Sequence, residues 1–127
     1  MKRLAAALCL TIAVLLGSVG VSWSADFQKG VAAYKSGEYA TALREWTPLA
    51  EQGDANAQGN LGFMYAFGAG VLKDYVYAHM WGNIAATNGN ALGAKLRDDF
   101  EKKMTPSQIE KAQDLARECI RKQYKGC

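Results

Sequence analysis

From residue 26 onward, apolar residues recur three and four positions apart, and no stretch alternates with a period of two. This spacing is typical of amphipathic helices and not of strands. Glycines and the Thr105–Pro106 step interrupt the pattern at intervals of about 15 residues. The interruptions predict six helices, at about 26–36, 38–52, 55–67, 74–88, 91–104 and 106–122.

Residues at these interruptions have the chemistry of helix ends. Thr105 and Gln108 are spaced for a capping box at the start of the sixth helix, and Asp74 is placed to cap the fourth. Gly68 and Gly70 are expected to adopt left-handed conformations after the third helix. A phosphate-binding role for these glycines is disfavoured, because no strand precedes them and no Lys-Ser/Thr pair follows.

The chain also aligns with itself. Trp46 and Trp81 lie 35 positions apart, and Gly53 and Gly89 lie 36 apart. Short connections favour antiparallel neighbouring helices, and a period in the mid-thirties with two helices per unit is typical of an α/α solenoid. The sequence therefore predicts an all-α fold, a solenoid of about three antiparallel helix pairs. Its units span about 27–53, 55–89 and 91–122, followed by a short tail.

The second unit has a distinctive set of positions, namely Ala57–Gln58–Gly59–Asn60–Leu61–Gly62, then Tyr65, Gly68, Gly70, Val71, Asp74, Ala78, Trp81, Ala85, Ala86 and Gly89. With this set it resembles a full Sel-one-like repeat, a relative of the tetratricopeptide repeat. The first unit resembles a shortened copy, and the last resembles a terminal cap. The resemblance implies a right-handed superhelical stack that binds a protein or peptide on its concave side, as an adaptor.

The first residues have a different composition. Lys2 and Arg3 precede an uncharged apolar run from residue 4 to about 16, and small residues lead to Ser24 and Ala25. This order predicts a secretory signal peptide, residues 1–24, and a domain spanning 25–127. We therefore expect a periplasmic or secreted protein with no membrane association after cleavage. The alternative is an uncleaved membrane anchor. Residues 4–25 carry no charge and are about as long as the ~20 residues that a helix needs to span a bilayer.

Charge and candidate chemistry narrow the function. Without Lys2 and Arg3, 13 basic residues face 12 acidic ones, which gives no electrostatic reason to expect nucleic acid as a partner. His79 is the only histidine and has no partner at metal-ligand spacing. The acidic cluster of Asp98, Asp99 and Glu101 is expected to be a solvated face. We expect no catalytic residue, no cofactor and no metal site, and hence no enzyme.

Two interpretations of His79 remain open. The helical pattern places it with Asn83 on the polar face of the fourth helix, where it is either a plain surface residue or part of a partner-binding groove that includes Tyr75. The expected function is an adaptor for a protein or peptide. The alternative is a cell-envelope enzyme, because some cysteine-rich relatives of this family are linked to β-lactam hydrolysis. Those relatives carry a cysteine pair in each repeat, whereas this chain has a pair only at its end. The chain also has no Ser-x-x-Lys motif of the kind that serine β-lactamases use.

The cysteines allow one structural prediction. Cys9 would leave with the signal peptide, so Cys119 and Cys127 would be the pair in an exported chain and are expected to form a disulfide. A straight helix would separate them by about 12 Å, whereas a disulfide needs α-carbons closer than about 7 Å. The tail must therefore turn back near residues 123–126. The alternatives are two free thiols or an intermolecular link.

Overall fold

The computed structural model describes residues 24–127, so the predicted signal peptide lies outside it except for Ser24. The described residues form six α-helices and no strand, which confirms the all-α prediction. The largest difference from the predicted bounds is at the fifth helix, which ends three residues early. The helices are α1 (Phe27–Lys35), α2 (Tyr39–Glu51), α3 (Ala55–Phe67), α4 (Tyr75–Thr87), α5 (Ala91–Glu101) and α6 (Pro106–Arg121).

The predicted helix ends are confirmed. The Asp74 carboxylate accepts hydrogen bonds from two backbone N–H groups of the first turn of α4. Thr105 and Gln108 form the reciprocal capping box of α6. Gly68 ends α3 with φ +68°, and Gly70 has φ +74°. Residues with a β-carbon rarely adopt these positive φ values, which explains why glycine occupies both positions.

Helix α4 lies at the centre of the fold, because it packs against α3, α5 and α6. The other main contacts join α1 to α2, α2 to α3, and α3 to α5. Helices α5 and α6 are not among the extensively packed pairs. The expectation that all consecutive helices would be neighbours is therefore wrong for this last pair. Helix α6 instead buries its small residues, Ala112, Ala116 and Cys119, and it packs mainly against α4.

Glycine and alanine let the central helices approach closely. A β-carbon at Gly93 in α5 would lie 2.6 Å from the β-carbon of Ala85 and 2.9 Å from the carbonyl oxygen of Gly82, both in α4. These distances are shorter than van der Waals contact. The two tryptophans that lie 35 positions apart, Trp46 and Trp81, are both buried in the same core cluster.

The C-terminal tail turns back as predicted. Gln123 and Tyr124 have φ values of +56° and +66°, and Gly126 has φ +70°. The Tyr124 amide donates to the carbonyl oxygen of Cys119 at 2.8 Å. The structure contains the Cys119–Cys127 disulfide, with the α-carbons 5.6 Å apart.

A chain of polar side chains connects this tail to helices α2, α3 and α4. The Asn88 side-chain amide donates to the Tyr124 hydroxyl at 3.1 Å and to the Gln58 side-chain oxygen at 2.8 Å. Gln58 is fully buried, and its amide donates to the carbonyl oxygen of Ala50 at 3.0 Å. A buried amide with both ends satisfied specifies one arrangement of α2, α3 and α4.

Candidate functional site

The structure does not place His79 on the surface. Its side chain is fully buried, and its Nε2 lies 2.7 Å from Oε1 of Glu101 at the end of α5. Both interpretations of His79, as a surface residue and as a partner contact, are therefore wrong. The helical wheel assumed a single buried face, whereas α4 is covered by three helices, and α5 covers the side that carries His79.

The contact between His79 and Glu101 is a structural link between α4 and α5. The Nδ1 atom of His79 has no hydrogen-bond partner among the described residues. The His79 ring is fully buried, whereas the Glu101 side chain is 37% exposed, so the imidazole of this pair is closed to solvent and the carboxylate is not. The sequence alone does not reveal this pair, because its two residues are 22 positions apart.

Asn83 and Tyr75 also have partners within the fold. The side-chain oxygen of Asn83 accepts a hydrogen bond from Arg97 at 3.1 Å, which adds a second link between α4 and α5. The ring of Tyr75 lies 5.0 Å from that of Phe100 and 5.0 Å from the Lys73 ammonium. The three predicted partner-binding residues thus form no common exposed patch, and only Tyr75 adjoins the surface described next.

The odd-numbered helices form an open apolar surface that consists of two adjoining cavities. The first has a volume of about 240 Å³ and contains Trp46 of α2 in addition to residues of α1, α3 and α5. The second has a volume of about 310 Å³ and lies between α3 and α5. Phe63 and Leu92 line both cavities. We call the two cavities together the odd-helix groove.

A series of aromatic contacts follows this groove across three helices. The ring centres are 6.4 Å apart for Tyr34 and Phe63, 4.5 Å for Phe63 and Phe67, and 6.1 Å for Phe67 and Phe100. Two large apolar side chains of the groove remain exposed, Phe67 at 60% and Leu92 at 54%. The groove therefore presents apolar area to solvent over supporting aromatic residues.

The local sequence explains why these side chains point the same way. Phe63 and Phe67 are four residues apart on α3, and Leu92 and Lys95 are three apart on α5, so each pair shares one helix face. Meanwhile Leu61 and Met64 fill the core side of α3. Sequence reasoning missed the groove because it assigned apolar residues to the core. The signal it could have used is an aromatic pair outside the core-facing positions.

The charged residues of the groove are mainly basic. Lys35 lines the first cavity, and Lys95, Asp99 and Lys103 line the second. The hydrogen bond from Lys95 and the charges of nearby lysines lower the pKa of Asp99, so this carboxylate is ionised and neutralised by its neighbours. Burial raises the pKa of the Tyr34 hydroxyl, which therefore stays uncharged. The groove has a net positive charge.

In residues 24–127, no three His, Cys, Asp or Glu side chains lie close enough to hold a metal ion. None of the six helices is long and apolar enough to cross a membrane.

Comparison with known proteins adds no family to these observations. No family model matches the chain, and neither a curated protein nor a solved structure matches it. The geometry of the odd-helix groove is therefore the basis for a functional proposal.

Proposed function

We propose that this chain is an exported helical-repeat adaptor that binds a protein or peptide segment in the odd-helix groove. The observation that carries the proposal is the exposure of Phe67 and Leu92 within a continuous aromatic groove. Contiguous exposed apolar surface lined by polar residues is typical of interaction sites. Large apolar side chains in a preformed depression are also the usual binding anchors.

Two kinds of contact, aromatic packing and a side-chain hydrogen bond, support a solenoid of Sel-one-like, tetratricopeptide-like type. The aromatic contacts join the first helices of the three proposed units, α1, α3 and α5, in order. The Asn90 side-chain amide also donates to the side-chain oxygen of Asn56 at 2.8 Å, which links the starts of α3 and α5. Helix α6 departs from the pairing, as a terminal cap would.

The disulfide supports export to the periplasm or beyond the cell. Disulfides persist in oxidising compartments and are rare in the cytosol. The bond between Cys119 and Cys127 closes a tail that also contacts the repeat, so oxidation contributes to the fold. Cleavage of the predicted signal peptide would place the domain in such a compartment.

The β-lactam-hydrolysing alternative receives less support from this surface. The two cavities of the groove are lined by apolar residues, asparagine, lysine and aspartate, with no serine, cysteine or histidine among their lining side chains. A nitrocefin assay on the purified protein checks the alternative, and measurable turnover would replace the adaptor proposal with an enzymatic one.

A displayed random-peptide library, selected on the immobilised protein, tests the adaptor proposal. The groove variant carries Phe67→Gln and Leu92→Gln, which remove apolar area without adding charge. The matched control is Leu72→Gln, because Leu72 is 91% exposed and lines neither cavity. Such exposed substitutions typically change stability by less than about 0.5 kcal/mol. Thermal unfolding of both variants verifies that they fold.

We expect peptides that enrich on the natural protein and on the Leu72→Gln control but not on the groove variant. That result would locate binding in the groove. Selection that yields no enriched peptide, or peptides that bind the groove variant equally well, would refute the proposal.

A further inference from the structure

We infer that the segment bound by the odd-helix groove is anionic, with two aromatic side chains on one face and acidic residues on either side of them. The inference rests on the proposed function and specifies the chemistry of its partner.

Each cavity has the size and lining for one aromatic side chain. An apolar cavity of about 150 Å³ accepts benzene, and the two cavities have volumes of 240 Å³ and 310 Å³. Aromatic rings surround both, with Tyr34 and Trp46 in the first, Phe67 and Phe100 in the second, and Phe63 between them. Aromatic rings pack favourably edge-to-face or offset against one another, which favours an aromatic occupant.

The offset of the cavities along α3 sets a lower limit on the spacing of those two side chains. Along α3, Asn60 lines the first cavity, Phe63 lines both, and Phe67 lines the second, an offset of about one helical turn, or ~5–6 Å. The first cavity extends toward α1 and the second toward the end of α5, so they are also displaced across the helices. In an extended segment, side chains two positions apart share a face and lie ~6.6 Å apart. Aromatic residues at alternate positions of an extended segment can therefore face both cavities.

Unpaired lysines at both cavities supply the charge preference. Asp99 already pairs with Lys95 and Lys102, and within residues 24–127 neither Lys35 nor Lys103 lies within ion-pair distance of a carboxylate, although the charge of Lys103 also acts on Asp99. Lys103 lies 5.3 Å from the centre of the Phe100 ring, so its ammonium is held at the second cavity. Lys35 lines the first. An anionic group on each side of the aromatic pair would complement both charges.

The same charges argue against a second copy of this chain as the occupant. A two-fold contact places the same surface patch on both subunits. Lys35 and Lys103 of one molecule would then approach the same positive groove on the other, and like charges brought together disfavour the contact. The remainder of the described chain has no comparable excess, since residues 24–127 contain 13 basic and 12 acidic residues.

Fluorescence anisotropy with three labelled peptides tests the inference on the full purified chain. The first peptide contains the core Glu-Glu-Phe-Glu-Phe-Glu-Glu. The second replaces each glutamate by lysine, and the third replaces each phenylalanine by alanine. We expect the acidic aromatic peptide to bind at least roughly tenfold more tightly than either control at low ionic strength. Added salt should reduce its advantage over the basic peptide.

Lysine variants separate charge from apolar binding. The double variant Lys35→Gln/Lys103→Gln should lose the preference for the acidic peptide but keep its preference for phenylalanine over alanine. The matched control, Lys111→Gln/Lys122→Gln, removes two exposed lysines that line neither cavity of the groove and should keep both preferences.

Several results would overturn the inference. Equal binding of the acidic and basic peptides, or no binding of the acidic peptide, would do so. Groove-dependent library peptides that are neutral or basic would overturn the inference and leave the adaptor proposal standing. A concentration-dependent dimer in sedimentation that disappears in the Phe67→Gln/Leu92→Gln variant would make a second copy the occupant.

Discussion

Breaking the Cys119–Cys127 disulfide is expected to lower the free energy of unfolding by about 2.5 kcal/mol. The bond joins residues eight apart, and its loss restores the loop-closure entropy of the unfolded chain. Release of the tail would also lose the hydrogen bond between Tyr124 and Asn88 and the one from Lys125 to the carbonyl oxygen of Glu51, each worth about 1 kcal/mol. The left-handed conformations of Gln123 and Tyr124 would relax in return, each by roughly 1 kcal/mol. These smaller terms nearly cancel, so the loop-closure term dominates.

Thermal unfolding followed by circular dichroism measures this loss. For a domain of this size, 1 kcal/mol corresponds to about 4–8 °C, so the expected decrease in Tm is roughly 10–20 °C. The measurement compares the oxidised protein, the same protein with reductant, and a Cys127→Ser variant. Cys127 is the better residue to replace, because Cys119 is 2% exposed and its substitution would also disturb the core.

The control is the effect of reductant on the Cys127→Ser variant, which should be negligible. A Tm decrease of less than about 3 °C, by reduction and by substitution alike, would refute the reasoning. It would mean that the tail already adopts its turn without the covalent bond. A reductant effect that persists in the variant would assign the stabilisation to some other thiol linkage.

Substitutions at three further positions test a buried hydrogen bond, helix packing and a lowered carboxylate pKa. Glu101→Ala should lower the free energy of urea unfolding by about 1–3 kcal/mol, since it leaves the buried His79 Nε2 without its acceptor, while Glu101→Gln should cost less. Gly93→Ala should cost about 1–3 kcal/mol in the same assay, because its new methyl group would lie 2.6 Å from the β-carbon of Ala85. The pKa of Glu45 is lowered chiefly by a backbone hydrogen bond, so its ionised form stabilises the fold above the ordinary carboxylate range. The urea midpoints of Glu45→Gln and the natural protein should therefore differ near neutral pH and converge as the pH falls through the lowered pKa.

Much of the helix framework followed from the sequence because its determinants are local. Helix ends depend on the residues at the ends themselves, as with Asp74 and the Thr105 capping box. The disulfide was predictable for a related reason. Two cysteines eight apart restrict the path of the tail, and the structure turns at residues within the predicted range.

The burial of His79 could not be predicted in the same way. Helical periodicity describes how a helix meets one neighbour, and it gives no information on how many neighbours the helix has. Helix α4 contacts three others, so residues on its apparently polar side are also enclosed. The acid that satisfies His79 is Glu101, on another helix. Contacts of this kind depend on how the helices are arranged.

The odd-helix groove is the converse case, in which apolar side chains are exposed instead of a polar one being buried. Phe67 and Leu92 are apolar, and nothing in the sequence pattern singled them out, yet they are 60% and 54% exposed. Their exposure depends on whether another part of the chain packs over α3 and α5 on that side. A periodic pattern shows that a face is apolar, but it cannot show whether any other helix covers that face.

Helix α6 contributes no residue to the lining of the odd-helix groove. Had α6 packed beside α5 as the second helix of a regular pair, the last unit would have repeated the arrangement of α3 with α4. Instead α6 packs on α4, and the disulfide-linked tail turns back toward the end of the same helix at Asn88. The C-terminal segment thus stabilises α4 without extensive contact with α5. Stability and exposure therefore depend on different residues in this fold. The Cys127→Ser variant should change Tm and spare the groove, whereas Phe67→Gln with Leu92→Gln should do the reverse.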